Sequence, residues 1–196
     1  KTSFAVLLAR SLAMLGRRTL LVEADLRRPS LAERLNLDTE SGLAALLMGS
    51  TADESVIVRS SVDKLDILAA GELPENFSAE LLANGVLSRC LERWKEKYDF
   101  VLLDSPPVLP VADARILSSQ ADGTILVLRS SHCRRAEVAQ ACTDLTDAGG
   151  RLVGAVLVGV PIGSVYGGYG AYETTSPTAL GHVSWKRSEP RAGTVT

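Results

Sequence analysis

The sequence predicts an α/β domain: a mostly parallel sheet with helices on both faces. Three observations carry this reading. Five short runs, 19–22, 65–68, 100–103, 123–128 and 152–160, are apolar almost throughout rather than alternating, as strands buried on both sides are. Segments with helical spacing separate them, so successive strands are joined by crossovers. The length of 196 residues suits one domain with a self-supporting core, since a chain of about 150 residues buries roughly 70% of its surface.

The elements follow in order. Residues 2–15 place Phe4, Leu7, Leu8, Leu12 and Leu15 at helical spacing, with Gly16 as the C-cap. The strand 19–22 ends in Glu23-Ala24-Asp25. Residues 29–49 are mixed, with short helical patterns at 31–35 and 43–48. The strand 65–68 is closed by Ala-Gly, and 78–97 reads as a helix with Leu87, Cys90, Leu91 and Trp94 on one face. The strand 100–103 is the clearest of the set and ends at Asp104-Ser105-Pro106-Pro107. Helix 134–148 turns Val138, Ala141, Cys142 and Leu145 inward before the last strand. Past Val160 the composition changes. Residues 163–170 are rich in Gly and Tyr, and Ser, Thr, Pro and Arg dominate from Thr174 onward. The expected division is therefore a folded domain over 1–162 and a flexible tail over 163–196.

Composition removes several classes of function. At 46% hydrophobic and 22% charged the chain is ordinary globular protein. A net charge of −2 gives no bulk attraction to nucleic acid or anionic lipid. Cys90, Cys133 and Cys142 form no CxxC pair and are read as reduced thiols in a cytosolic protein. His132 and His182 are too few and too far apart in sequence for a zinc site. The apolar runs fall far short of the ~20 residues that span a bilayer.

The chemistry is expected at the carboxyl ends of the strands, where open α/β sheets bind ligands. Two strands end in acids there, at Glu23/Asp25 and at Asp104. Lys1-Thr2 opening an amphipathic helix is what the end of G-x-x-x-x-G-K-[ST] looks like. A helix N-terminus presents N–H groups to phosphate, the lysine reaches the terminal phosphates, and the hydroxyl ligates Mg²⁺. The chain is thus read as a P-loop fold entered within its phosphate loop, with Lys1, Thr2 and Ser3 the loop's last residues. Its first strand and glycine loop are expected to be missing, and these residues alone should bind nucleotide weakly.

TLLVEADLRRPSL resembles the second nucleotide motif of bacterial tyrosine kinases, the cytoplasmic domains that work with polysaccharide co-polymerases in capsule and exopolysaccharide export. YDFVLLDSPPVLPVADARILSSQADGTILVLRSS looks like their Walker B strand and the segment after it, and AGELPENFSAELLANGVLSRCLERWKEKYDF matches their usual lead-in. The resemblance runs from Lys1 to about Val160. It implies ATP and Mg²⁺ as cofactors, with Lys1 on the β- and γ-phosphates and Thr2, Asp25 and Asp104 around the metal. Ser3 and Arg27 would line the nucleotide. Glu23 occupies the place of the first acid, the candidate base for a tyrosine hydroxyl. Tyr166, Tyr169 and Tyr172 match the family's C-terminal tyrosine cluster, phosphorylated by a neighbouring subunit. The implied partners are a membrane polysaccharide co-polymerase, fused upstream or separate, and further copies of the chain in a ring. The implied place is the cytoplasmic face of the cell membrane.

Two residues depart from the family. Glu23 stands where the family has Asp, and one extra methylene moves the carboxylate by about 1 Å, a misplacement that can cost ~10²-fold in rate. Val158 stands where the family usually has an Asn that contacts the base. A catalytically degenerate nucleotide-binding regulator therefore remains an alternative, as does an ATPase of the related partitioning and division-site family.

Overall fold

The structure, a computed structural model, describes residues 1–37, 41–51, 54–73, 79–130 and 132–160. Helix α1 (Thr2–Met14) leads into strand β1 (Thr19–Glu23), whose five residues are all buried. Two short helices follow, α2 (Leu31–Leu35) and α3 (Leu43–Leu47), then strands β2 (Val58–Arg59) and β3 (Leu65–Leu68). Helices α4 (Glu80–Ala83) and α5 (Val86–Lys97) precede β4 (Phe100–Asp104). The described chain ends with α6 (Asp113–Gln120), β5 (Thr124–Arg129), α7 (Arg135–Asp147) and β6 (Leu152–Val158). Among the described residues no helix is long and apolar enough to cross a membrane.

The first sheet has the order β2-β3-β1-β4. β1 runs parallel to both β3 and β4, and β2 adds an antiparallel edge. Successive residues of β1 serve opposite layers. Leu20 and Val22 pack with Leu43, Leu46 and Leu47 of α3 and with Leu87, Cys90, Leu91 and Trp94 of α5. Leu21 joins Ala9 and Ala13 of α1 and Leu31 and Leu35 of α2 on the other side. This two-sided burial is why the strand shows no polar alternation.

Three differences from the sequence expectation are physical. The helix expected over 78–97 breaks at Asn84-Gly85. Gly85 takes φ 80°, and the Asn84 side chain accepts the Val86 N–H at 2.9 Å, starting a new helix. Helix α6 was not expected; its Asp113, Ala114, Leu117 and Ser118 are buried. The sheet is also in two parts. β5 and β6 pair in parallel as a separate two-stranded unit, and among the described residues no strand joins β5 to β4. A cleft of about 800 Å³ lies between them, lined by Val101 and Leu103 of β4, Leu126 and Leu128 of β5, and Phe4 and Leu8 of α1. α7 covers one side of the second unit, through Ala141 and Leu145 against Leu126, while Ile125, Val153 and Leu157 are exposed.

The carboxyl end of β3 is closed by backbone contact. The N–H groups of Leu43 and Ala44 donate to the carbonyls of Ala69 and Ala70 at 2.8 and 2.9 Å. Gly42 permits this approach, because a Cβ there would lie 2.3 Å from the Ala69 carbonyl oxygen. Gly42→Ala is expected to cost ~1–3 kcal/mol, the range of overpacking a packed contact. Urea denaturation compared with the parent checks this; an unchanged midpoint would contradict the contact.

Candidate active site

Four segments converge at the carboxyl end of the first sheet. The N-terminus of α1 is the first. Its opening helical bond runs from the Ala5 N–H to the Lys1 carbonyl at 2.9 Å, and no side chain caps the end. The N–H groups of Thr2, Ser3 and Phe4 therefore have no acceptor within the helix. Together with the dipole of a 13-residue helix they favour an anion.

Asp104, the last residue of β4, is the second component, and it is 4% exposed. Burial raises its pKa above the ordinary carboxylate value, opposed by a hydrogen bond to the Thr2 side chain and by the charge of Lys1; the Asp25 carboxylate adds to the rise. These causes put Lys1, Thr2, Asp25 and Asp104 within one electrostatic neighbourhood. Parallel pairing makes Glu23 and Asp104 cross-strand partners, and the Ala24 N–H donates to the Asp104 carbonyl at 2.9 Å.

The loop after β1 is the third. Asp25 is half-buried, and its carboxylate accepts the Arg28 N–H at 3.1 Å in a tight turn. Glu23 is engaged otherwise than expected of a base. It is 1% exposed, and one carboxylate oxygen accepts the Ser30 and Leu31 N–H groups, both at 2.5 Å. The other accepts the Ala70 N–H at 3.1 Å. Glu23 thus closes the loop onto the start of α2 and ties it to the end of β3. Its extra methylene lets it reach these donors.

The fourth component is Asp113, which the sequence reading did not single out. Its side chain is wholly buried, and its two oxygens accept Nε and Nη2 of Arg27 at 2.9 and 3.0 Å. The guanidinium expected to line the nucleotide is therefore paired with a buried carboxylate. An acid in the first turn of a helix after the DSPPV segment was the available signal. Ser3 lies exposed on the first turn of α1. Val158 sits at the carboxyl end of β6, opposite Arg129. Tyr166, Tyr169 and Tyr172 lie outside the described residues.

The donor set fits Mg-nucleotide. Among the described residues no group of three or more His, Cys, Asp or Glu side chains could hold a metal. Mg²⁺ does not need such a cage, because it takes one or two protein oxygens and completes its shell with phosphate and water. The Thr2 hydroxyl and the Asp104 carboxylate are such oxygens, beside a helix end suited to phosphate.

Two outcomes follow from this geometry. A carboxylate whose folded pKa is raised costs stability above that pKa and not below the unfolded value of about 3.9. Asp104→Asn should therefore raise the thermal midpoint at pH 7 and change it little near pH 4; equal shifts at both would contradict the burial argument. Glu23→Gln replaces one acceptor oxygen with an NH₂ group facing backbone N–H, and should lose ~1–3 kcal/mol in denaturant unfolding.

The AAA domain family model matches residues 1–145. Tyrosine-protein kinase YwqD of Bacillus subtilis (strain 168) is 35% identical over 172 residues, which is 87% of this chain and 72% of that protein. Tyrosine-protein kinase ptk of Acinetobacter johnsonii is 35% identical over 80% of this chain, which spans 21% of that longer protein. Among solved structures, the BceF tyrosine kinase domain superposes with a TM-score of 0.74 at 40% identity, covering 82% of this chain and 64% of that one. The septum site-determining protein MinD of Pyrococcus horikoshii, solved with Mg-ADP, shares the fold with a TM-score of 0.66 at 24% identity, over 80% of this chain and 63% of that one. With the uncapped helix end, the acidic strand ends and the identity to YwqD agreeing, the chain belongs to the AAA-domain family and, within it, to the bacterial tyrosine kinases.

Proposed function

We propose that this domain transfers the γ-phosphoryl group of ATP to tyrosine hydroxyls on a neighbouring copy of the chain, and so regulates the assembly and export of a capsular or extracellular polysaccharide. The observation that carries the reading is the meeting of Thr2 with the buried Asp104 at the N-terminus of α1, with Lys1 and Asp25 beside them. Bound Mg-ATP supplies the phosphoryl group and a charge-neutralising cation. Lys1 and the free N–H groups of Thr2, Ser3 and Phe4 hold the phosphates. Thr2 and Asp104 hold the metal. Asp25 takes the tyrosine proton, because it is half-exposed while Glu23 is committed to three backbone donors. Glu23 and Arg27 then shape the loop rather than touch the reacting atoms.

The cleft between β4 and β5 supports the reading that the first strand and glycine loop lie outside these residues. Among the described residues neither facing edge pairs with a further strand, and both are apolar. A parallel strand inserted there would join the two units into one sheet and deliver a glycine loop to Lys1. In the same reading the domain works against a membrane polysaccharide co-polymerase at the inner face of the membrane, self-associates in a ring, and takes no nucleic acid.

The full-length protein incubated with ATP and Mg²⁺, and with its membrane partner present, should become phosphorylated on tyrosine. Replacing Tyr166, Tyr169 and Tyr172 together by Phe should remove most of the signal, and Asp25→Asn should lower the rate by ~10²-fold or more with nucleotide affinity retained. A parent protein that binds Mg-ATP normally yet labels no tyrosine would sink the kinase reading.

One observation favours a second reading, a regulator that binds nucleotide without transferring phosphate. The acid at the expected base position is buried and hydrogen-bonded on both oxygens. Normal affinity without transfer would support this alternative.

A further inference from the structure

Asp104, which meets Thr2 and Lys1, and Asp25, whose charge acts on Asp104, stand on two separate loops. Asp25 begins the loop from β1 to α2, and Asp104 begins the one from β4 to α6. Two cross-links bracket them. At the sheet end the Ala24 N–H donates to the Asp104 carbonyl at 2.9 Å. At the far end Arg27 and Asp113 form a two-pronged pair across 86 residues of sequence. Asp25 is two residues from Arg27, so its position depends on where that guanidinium is held.

We propose that Asp113 is a positioning residue for phosphoryl transfer, latching Arg27 and with it the loop of Asp25 onto the start of α6. The latch rests on the kinase reading for its effect on rate, but its geometry stands apart from it. Asp113 is wholly buried, so release of Arg27 would leave a carboxylate out of water without a partner. That cost keeps the guanidinium in place through the reaction cycle. The fork geometry is specific to arginine, since lysine offers one point charge and cannot span both oxygens. α6 is itself anchored toward the second unit. Ser118 shares a 2.7 Å hydroxyl contact with Thr124 of β5, and Arg115 lies 3.8 Å from Asp144 of α7. The latch therefore connects Asp25 to the half of the domain that carries β5 and β6.

The test uses the full-length chain with Arg27→Gln, Arg27→Lys, Asp113→Asn and the Arg27→Gln/Asp113→Asn double variant. Thermal melts first establish that each is folded; Arg27→Lys, which keeps the charge, carries the test should the Asp113 variant unfold. Each single variant should lower the rate of tyrosine phosphorylation by about 10- to 100-fold, with the dissociation constant for Mg-ATP changed less than about threefold. The double variant should be no slower than the worse single one, because the two residues act as one unit. Hydrogen exchange reads the latch without turnover. The amides of 24–30 should exchange roughly tenfold faster in each variant while those of β1 do not change. Unchanged exchange in 24–30 overturns the proposal. So does weakened nucleotide binding in the Arg27 variants alone, which would make Arg27 a nucleotide ligand, or rate losses that multiply in the double variant. A parent chain that fails to label tyrosine, with the exchange result as expected, removes the kinase reading and leaves the latch standing.

Discussion

The constraint on which the site depends is the parallel pairing of β1 with β4. Because the two strands run in the same direction and in register, their acidic ends stop side by side, with Glu23 opposite Asp104. The bond from the Ala24 N–H to the Asp104 carbonyl extends that register one residue past the strand. α1 packs Ala9 and Ala13 against Leu21 and Ile67, which points its N-terminus at the same end. A helix end suited to anions thus meets a buried carboxylate because of how the sheet is paired, and the side chains add specificity to a place the backbone has already made.

The two acids that follow the core of β1, Glu23 and Asp25, divide the work. Asp25 lies at the surface of the site and Glu23 beneath it. Glu23 accepts three backbone N–H groups from two segments, the start of α2 and the residue after β3's closing Ala69. A carboxylate satisfied in this way acts as a structural anion, closing a loop whose amides would otherwise be buried without acceptors. Arg27 and Asp113 do the corresponding job on the other side of the loop. Asp25 is held by its neighbours on both flanks, which is the usual requirement for a precise site on a loop.

The division of the sheet has the same logic at larger scale. β1 is buried throughout and β3 at every residue but Asp66, which is half-buried. Among the described residues β4 and β5 each have a strand neighbour on one side only, and Phe100 and Ile125 are exposed. Strands with the apolar composition of a sheet centre sit at sheet edges here, with a cleft between them. Composition and position disagree at this place.

Much of this was legible in the sequence because it is local. Apolar runs without alternation mark β1, β4 and β5, and the spacing of Leu87, Cys90, Leu91 and Trp94 marks α5. Lys1-Thr2, Asp25 and Asp104 could be named as candidates because helix starts and strand ends are local features too. Tertiary structure decided what lies between residues far apart in the chain. No spacing rule links Arg27 to an acid 86 positions away, and nothing in Glu23 itself says that its oxygens face Ser30, Leu31 and Ala70 rather than a substrate. A side chain's chemistry is set by its type, but its role is set by which donors and acceptors reach it first, and that depends on how distant segments pack.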